Sequence, residues 1–228
     1  MRLLLVEDDR QLADELAGQL RQRGYAVDCT AEGKEAAFLG GSEPYDVAVL
    51  DLGLPGMAGL DVLRHWRAAK VRMPVLILTA RSAWHEKVEG FRAGADDYLT
   101  KPFHSEELMV RLEALLRRAN GIGEQKVIGG ALHLDEGRQC VRLEEGGKST
   151  ELELTGTEFR LLRYLMLHPG KIFSASHLLE HVYEYDAEKE SNVIEVYINR
   201  LRKKVGKVYI RTRRGQGYFF DPEATEEA

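Results

Sequence analysis

Leu3-Leu4-Leu5-Val6-Glu7-Asp8-Asp9, close to the N-terminus, joins four consecutive apolar residues to three acids. An unbroken apolar tetrad reads as a strand buried on both faces of a parallel sheet, because a half-buried strand would alternate. The pattern recurs at Val47 to Leu50 and Val75 to Leu78, with weaker versions around Val27 and at Tyr98-Leu99. Between them, Gln11 to Arg23, Lys34 to Leu39, Leu60 to Ala69, Ala83 to Arg92 and Ser105 to Arg118 carry apolar residues at helical spacing, several stopping near Gly24, Gly40 and Gly94. Five strands alternating with five helices predict a doubly wound α/β domain, (βα)5, over residues 1–118.

The rest of the chain follows another rule. Gly121-Ile122-Gly123-Glu124-Gln125 has no period, which places a linker at 119–126. Ala131 to Leu134, Gln139 to Leu143 and Thr150 to Leu154 then alternate with period two and predict a small antiparallel meander. Helices are expected from Thr155-Gly156-Thr157-Glu158, whose cap-type residues open the first, to the stop at Pro169-Gly170, and again at Ser174 to Val182 and Asn192 to Val205. Val208 to Thr212 and Tyr218 to Phe220 close the domain as a hairpin, giving a second, α+β domain over 127–221 and a flexible tail at 222–228.

Composition narrows the function. The 228 residues are 44% hydrophobic and 30% charged, in the range of globular proteins with a real core. The formal net charge of −5 is wrong for a protein that coats nucleic acid or anionic membrane along its whole surface. The two cysteines, Cys29 and Cys140, form no metal-type cluster and fit a reducing compartment. The N-terminal apolar run ends after four residues, too soon for a signal peptide, and no stretch approaches a membrane span. The reading is a cytoplasmic protein with no membrane association.

In an open α/β sheet, ligands bind beyond the carboxyl ends of the strands. The residues there are Glu7-Asp8-Asp9, Asp51, Thr79 and Thr100-Lys101. Crowded carboxylates repel one another, and a hard divalent cation such as Mg2+ relieves them. A carboxylate beside such an ion suits attack on a phosphoryl group while an ammonium and a hydroxyl hold the oxygens. Asp51, Lys101 and Thr79 are of the right types. Gly53, two residues after Asp51, stands where an aspartate-nucleophile phosphohydrolase would want a second acid, and neither GxGxxG nor GxxxxGK[ST] occurs.

Val6-Glu7-Asp8-Asp9, Asp51-Leu52-Gly53-Leu54-Pro55-Gly56, Leu78-Thr79-Ala80 and Gly94-Ala95-Asp96-Asp97-Tyr98-Leu99-Thr100-Lys101-Pro102-Phe103 together resemble the receiver domain of two-component response regulators. The resemblance implies that Asp51 accepts a phosphoryl group from a sensor histidine kinase, with Glu7, Asp8, Asp51 and the Gly53 carbonyl around Mg2+. It also implies phosphoryl-binding and switch roles for Thr79, Ala80, Tyr98 and Lys101, with Thr79 and Tyr98 forming the switch, and a cis Lys101-Pro102 peptide. Met57-Ala58 departs from the acidic or polar residue many members carry near this loop, which bears on phosphate lifetime.

Residues 192–217 hold eight bases against the single acid Glu195, whereas 128–191 hold seven bases against twelve acids. So polarised a domain offers one cationic face to a polyanion. A helix there suits the major groove, where asparagine pairs with adenine and arginine with guanine or phosphate. The tip Arg213-Arg214-Gly215 suits the minor groove. Val193, Val196, Tyr197, Leu201 and Val205 form an apolar stripe that leaves Asn192, Asn199, Arg200, Arg202 and Lys203 outward.

Leu154-Thr155-Gly156-Thr157-Glu158-Phe159, Ile198-Asn199-Arg200-Leu201-Arg202-Lys203 and Arg211-Thr212-Arg213-Arg214-Gly215-Gln216-Gly217-Tyr218 resemble the winged-helix effector domain of the OmpR/PhoB subfamily. By position, this resemblance puts Asn192, Val193, Tyr197, Arg200 and Arg202 against double-stranded promoter DNA, with Thr212 and Arg214 on the wing. Val193 and Tyr197 thus carry two readings, core stripe or groove contact. Tyr183 to Lys189 matches the loop such proteins offer to RNA polymerase, or reads as a solvated loop. The resemblance further implies a homodimer on activation, with Lys87, Arg111 and Arg118 against Asp96, Asp97 and Glu107 around Val88, Phe91 and Met109. The expectation is a phosphorylation-controlled transcription regulator on tandem half-sites, not a stand-alone enzyme. A pseudo-receiver binding DNA constitutively, or a phosphotransfer enzyme whose basic domain binds protein, are the alternatives.

Overall fold

A computed structural model of the chain describes residues 1–80, 84–119, 128–135, 139–145, 147–184 and 193–223. They form two compact units. The N-terminal unit runs β1 (Arg2–Val6), α1 (Arg10–Gln22), β2 (Ala26–Thr30), α2 (Gly33–Ser42), β3 (Val47–Asp51), α3 (Gly59–Ala68), β4 (Val75–Thr79), α4 (Trp84–Ala93), β5 (Asp97–Thr100) and α5 (Ser105–Ala119). Its sheet has the order β2-β1-β3-β4-β5, every pair parallel. All residues of β1, β3 and β4 are buried, as unbroken apolar runs require. The weaker signals at β2 and β5 belong to the two edge strands, where Asp28 and Cys29 in one and Asp97 and Thr100 in the other are not buried.

α2 continues to Ser42, past the glycine expected to end it. Gly40 lies inside the helix, where the Trp66 indole packs so closely that a Cβ would sit 2.4 Å from its ring. Trp66 is fully buried and its Nε1–H is shared between the Ala36 and Ala37 carbonyls at 3.2 and 3.3 Å, which locks α3 onto α2. At the opposite end of the sheet from the acids, the buried Arg2 guanidinium pairs with Asp28 at 2.8 Å and Glu43 at 3.2 Å and lies over the Tyr45 ring. Nothing in a single arginine beside a strand marks it as buried.

The C-terminal unit runs β6 (Ile128–Gly129), β7 (Leu132–Asp135), β8 (Cys140–Glu145), β9 (Lys148–Leu152), α6 (Gly156–Met166), α7 (Ala175–Val182), α8 (Val193–Val205), β10 (Ile210–Arg213) and β11 (Gly217–Phe220). The first four strands make an antiparallel sheet in sequence order, one strand more than the meander predicted. β6 is too short to show a period, and β9 begins at Lys148 rather than Thr150 because this exposed edge strand carries no alternation. β10 and β11 form a hairpin whose base is tied down by Phe173 and Tyr218, which exchange backbone hydrogen bonds at 2.8 and 2.9 Å.

Thr155 and Glu158 close the expected capping box at the start of α6. Glu158 is nearly inaccessible, and its Oε2 accepts from both the Thr155 backbone N–H at 2.8 Å and Lys204 Nζ on α8 at 2.7 Å. Burial pushes the Glu158 carboxyl up, but these donors outweigh it and hold it below the usual carboxylate range. One acid therefore caps α6 and fastens α8. Among the described residues no helix is long and apolar enough to cross a membrane.

Candidate functional site

The sheet order sets β1, β3, β4 and β5 side by side, so the groups at their carboxyl ends meet. Glu7, Asp8 and Asp51 present carboxylate oxygens that all lie within 4.8 Å of one another. Asp9, the third acid of the run, is occupied otherwise: its Oδ1 accepts from the Gln11 and Leu12 backbone N–H groups at 3.0 and 3.2 Å and so caps α1. Lys101 reaches across from the end of β5, with Nζ 2.6 Å from Asp51 Oδ2 and 2.6 to 2.7 Å from both Glu7 oxygens. The Gly53 backbone N–H donates to Asp51 Oδ1 at 3.0 Å. Thr79 is buried at the end of β4, Ala80 is exposed just beyond it, and the Lys101 backbone N–H donates to the Thr79 carbonyl at 2.8 Å. Lys101-Pro102 is cis.

Glu7 is buried, and burial pushes its carboxyl up to about 7, helped by the charge of Asp51 and opposed by Lys101. Burial acts the same way on Asp51, but the bonds from Lys101 and the Gly53 N–H outweigh it, so Asp51 stays below the usual range and ionised. The same carboxylates outweigh the effect of burial on Lys101 and raise its pKa. Three acids around one ammonium leave an excess of negative charge in a partly buried pocket. An all-oxygen donor set with that excess fits a hard divalent cation.

In the C-terminal unit the buried face of α8 is Ile194, Ile198, Leu201 and Val205. This corrects the stripe read from the sequence: the spacing is set by the two isoleucines, Val196 is 45% exposed, and Val193 and Tyr197 are half-buried. Burial, with Tyr197 beside it, pushes the Tyr183 hydroxyl up to about 12. Asn199, Arg200 and Lys203 are exposed, as are Thr212, Arg213 and Arg214 on the hairpin. Arg202 has partners of its own: Nε donates to the Ile210 carbonyl at 2.8 Å, Nη2 to Thr212 Oγ1 at 2.6 Å, and the guanidinium lies over the Tyr218 ring. A cavity of about 720 Å3 lined by Asn199, Arg202, Lys203, Lys207, Arg211 and Thr212 runs between α8 and β10. Asn192, the linker from 120 onward, the loop from 185 to 189 and the tail from 224 lie outside the described residues.

Residues 3–113 match the response regulator receiver domain, and residues 149–220 match the C-terminal domain of transcriptional regulatory proteins. The two-component response regulator PhoP of Pseudomonas aeruginosa is 45% identical over 224 residues, covering 96% of this chain and 98% of that protein. The chain belongs to the OmpR/PhoB family of two-component response regulators. QseB of Escherichia coli O157:H7, a transcriptional regulatory protein, is 44% identical over 218 residues, covering 96% of this chain and 98% of QseB. The solved receiver domain of Francisella response regulator 1452 is 36% identical, covers 52% of this chain and 98% of that one, and superposes with a TM-score of 0.50. As a family member, the chain is a phosphorylation-regulated, DNA-binding transcriptional regulator and not a stand-alone enzyme.

The α4-β5-α5 face of this response regulator is ion-paired within the chain. Arg111 bonds both Asp97 oxygens at 3.0 and 3.2 Å and Glu107 Oε1 at 2.7 and 3.0 Å. Asp96 Oδ2 accepts from Arg67 at 3.0 Å and from the Val75 backbone N–H at 2.8 Å. Lys87 is half-buried and Arg118 exposed, while Val88 and Phe91 are exposed at 37% and 51%. Met109, read as a surface contact, faces the core at 4% exposure because it lies on the buried stripe with Leu108, Leu112, Leu115 and Leu116; Val110, at 55%, is the apolar residue that α5 turns outward. That substitution of neighbours was available from the helical period. The Arg67 clamp on Asp96 was not, since its other partners are backbone carbonyls of Val71, Met73 and Gly94.

Proposed function

We propose that Asp51 is the phosphoacceptor, and the observation that carries this is its carboxylate, ionised at the end of a central strand and held at both oxygens by Lys101 and the Gly53 N–H. A sensor histidine kinase supplies the phosphoryl group: the phosphorus–nitrogen bond of its phosphohistidine breaks as the Asp51 oxygen–phosphorus bond forms, and the imidazole keeps the electron pair. Glu7, Asp8, Asp51 and the Gly53 carbonyl are the residues to hold Mg2+. That ion, when bound, neutralises charge on the phosphoryl oxygens. Lys101 moves its hydrogen bonds from the carboxylates to those oxygens, and Thr79 and the Ala80 backbone N–H hold the others. Thr79 and Tyr98 then transmit the change to the α4-β5-α5 face.

On that face Lys87, Arg111 and Arg118 pair with Asp96, Asp97 and Glu107 of a second copy around Val88, Phe91 and Val110. Domain limits of 1–118, 119–126, 127–221 and 222–228 fit this division of labour. Double-stranded promoter DNA is read from α8 by Asn192, Asn199, Arg200 and Lys203, with Val193 and Tyr197 at its entrance and Arg214 on the wing. Arg202 and Thr212 meet DNA from the bonded pair they form. The loop Tyr183 to Lys189 faces RNA polymerase, and the whole cycle runs in the cytoplasm. Binding of the full chain to promoter DNA selected from a random pool should tighten at least tenfold on treatment with acetyl phosphate and Mg2+, and Asp51→Asn should abolish the gain. Tightening that survives in Asp51→Asn would move the acceptor elsewhere.

A further inference from the structure

Gly90 is a buried glycine inside α4, at a position where alanine would favour the helix. Space explains it. A Cβ on Gly90 would lie 1.6 Å from the Tyr98 hydroxyl oxygen, 2.4 Å from Cζ and 2.7 Å from Cε2. These three atoms make up the outer edge of the ring, and the phenol occupies the room a side chain would take. Tyr98 is 7% exposed in this position, with the ring centroid of the exposed Phe91 5.2 Å away. The backbone around Gly90 cannot simply withdraw, because its carbonyl accepts from the Ala95 N–H at 3.0 Å in the turn that leads into β5. Along β5, Tyr98 pairs with Ile77 and Thr100 with Thr79, and Lys101 follows at the acidic pocket.

We propose that Gly90 is the seat of the Tyr98 ring and thereby the residue that permits the inward state of the switch. The inference rests on the reading of Thr79 and Tyr98 as that switch and adds the element that receives the ring. With any side chain at position 90, Tyr98 is forced outward, across the α4-β5-α5 face, while Glu7, Asp8, Asp51 and Lys101 are untouched. Gly90 is a positioning residue, acting on the face through Tyr98 and on no reacting atom.

The test uses the full chain with 13C-labelled tyrosine, the Tyr98 resonance being assigned by Tyr98→Phe. Ring burial is read by NMR, activated dimerisation by sedimentation with Mg2+ and beryllofluoride, and phosphate uptake on a phosphate-affinity gel. Gly90→Ala should move the Tyr98 resonance to an exposed position and weaken the activated dimer at least tenfold, with phosphate uptake within twofold of wild type. Gly90→Ala in a Tyr98→Ala background should add no further loss, since the colliding ring is gone. If Gly90→Ala alone does not fold, the double variant should, and an unfolded double variant overturns the proposal. An unmoved Tyr98 resonance, or an equal loss of dimer in both backgrounds, also overturns it. A wild type that does not dimerise on activation defeats the reading of the switch and leaves the NMR result to decide the seat.

Discussion

Glu7 and Asp51 are chemically similar acids, each bonded to the same ammonium, yet the pocket sets them apart. Burial pushes Glu7 up to about 7, its backbone bond from the Asp9 N–H being a long one at 3.4 Å, whereas Asp51 has the closer Gly53 N–H at 3.0 Å as well as Lys101 and is depressed. A carboxyl with a raised folded-state pKa adds stability that is complete below its ordinary value near 4.5 and is lost as pH rises through about 7. A divalent cation binds the ionised form. Mg2+ should therefore raise the receiver's melting temperature more at pH 8 than at pH 6, measured by thermal unfolding with chelator as reference; an equal rise at both would remove Glu7 from the ion's ligands. Lys101→Ala deletes charge-assisted bonds of about 1.5–3 kcal/mol each. Phosphate uptake should fall by roughly 10- to 100-fold. Uptake at the wild-type rate would show that Lys101 only balances charge.

The elements were legible in proportion to how strongly burial shaped them. β1, β3 and β4 are buried along their whole length and could be read from apolar runs alone, and with them the residues at their ends. The edge strands and the two-residue β6 gave weak or no signal: burial along β2, β5 and β9 follows neither an unbroken run nor a strict alternation, and β6 is too short to show a period. On α8 the error was one of phase: Val193, Val196 and Tyr197 look apolar, but Ile194 and Ile198 take the core. The wing shows what charge counting misses. Arg214 is exposed at the hairpin, whereas Arg202 is bonded to β10. Arg214→Ala should lower DNA affinity and reduce the slope of log K against log salt by about 0.9. Arg202→Ala should in addition loosen the wing, seen as faster hydrogen exchange in β10 and β11; unchanged exchange would make it a plain phosphate contact. Glu158→Gln removes the charge that fastens α8 to α6, and amide exchange in both helices should rise. Because its carboxyl is depressed, the wild-type pair adds stability above about pH 4.5 that disappears as pH falls through the lowered value.

At the scale of the molecule, a small charge event must bias two states of a large one. Phosphorylation adds about −1.5 to −2 charge and three acceptor oxygens. Moving a population from 1:99 to 99:1 takes about 5.5 kcal/mol of differential binding. Two or three new charge-assisted bonds at the pocket are of that size. Arg111 on α5 is already ion-paired within one copy to Asp97 and Glu107, so the proposed dimer would exchange partners as well as add them. Arg111→Glu breaks the pairs in both settings and should weaken the activated dimer in sedimentation, and an unchanged dimer constant would remove this face from the account. Every later step depends on the acceptor. The most direct test is mobility on a phosphate-affinity gel after incubation with acetyl phosphate, comparing wild type, Asp51→Asn and wild type with the divalent cation chelated. A retarded band is predicted for wild type with Mg2+ alone, and a band that persists in Asp51→Asn or in chelator would contradict the account.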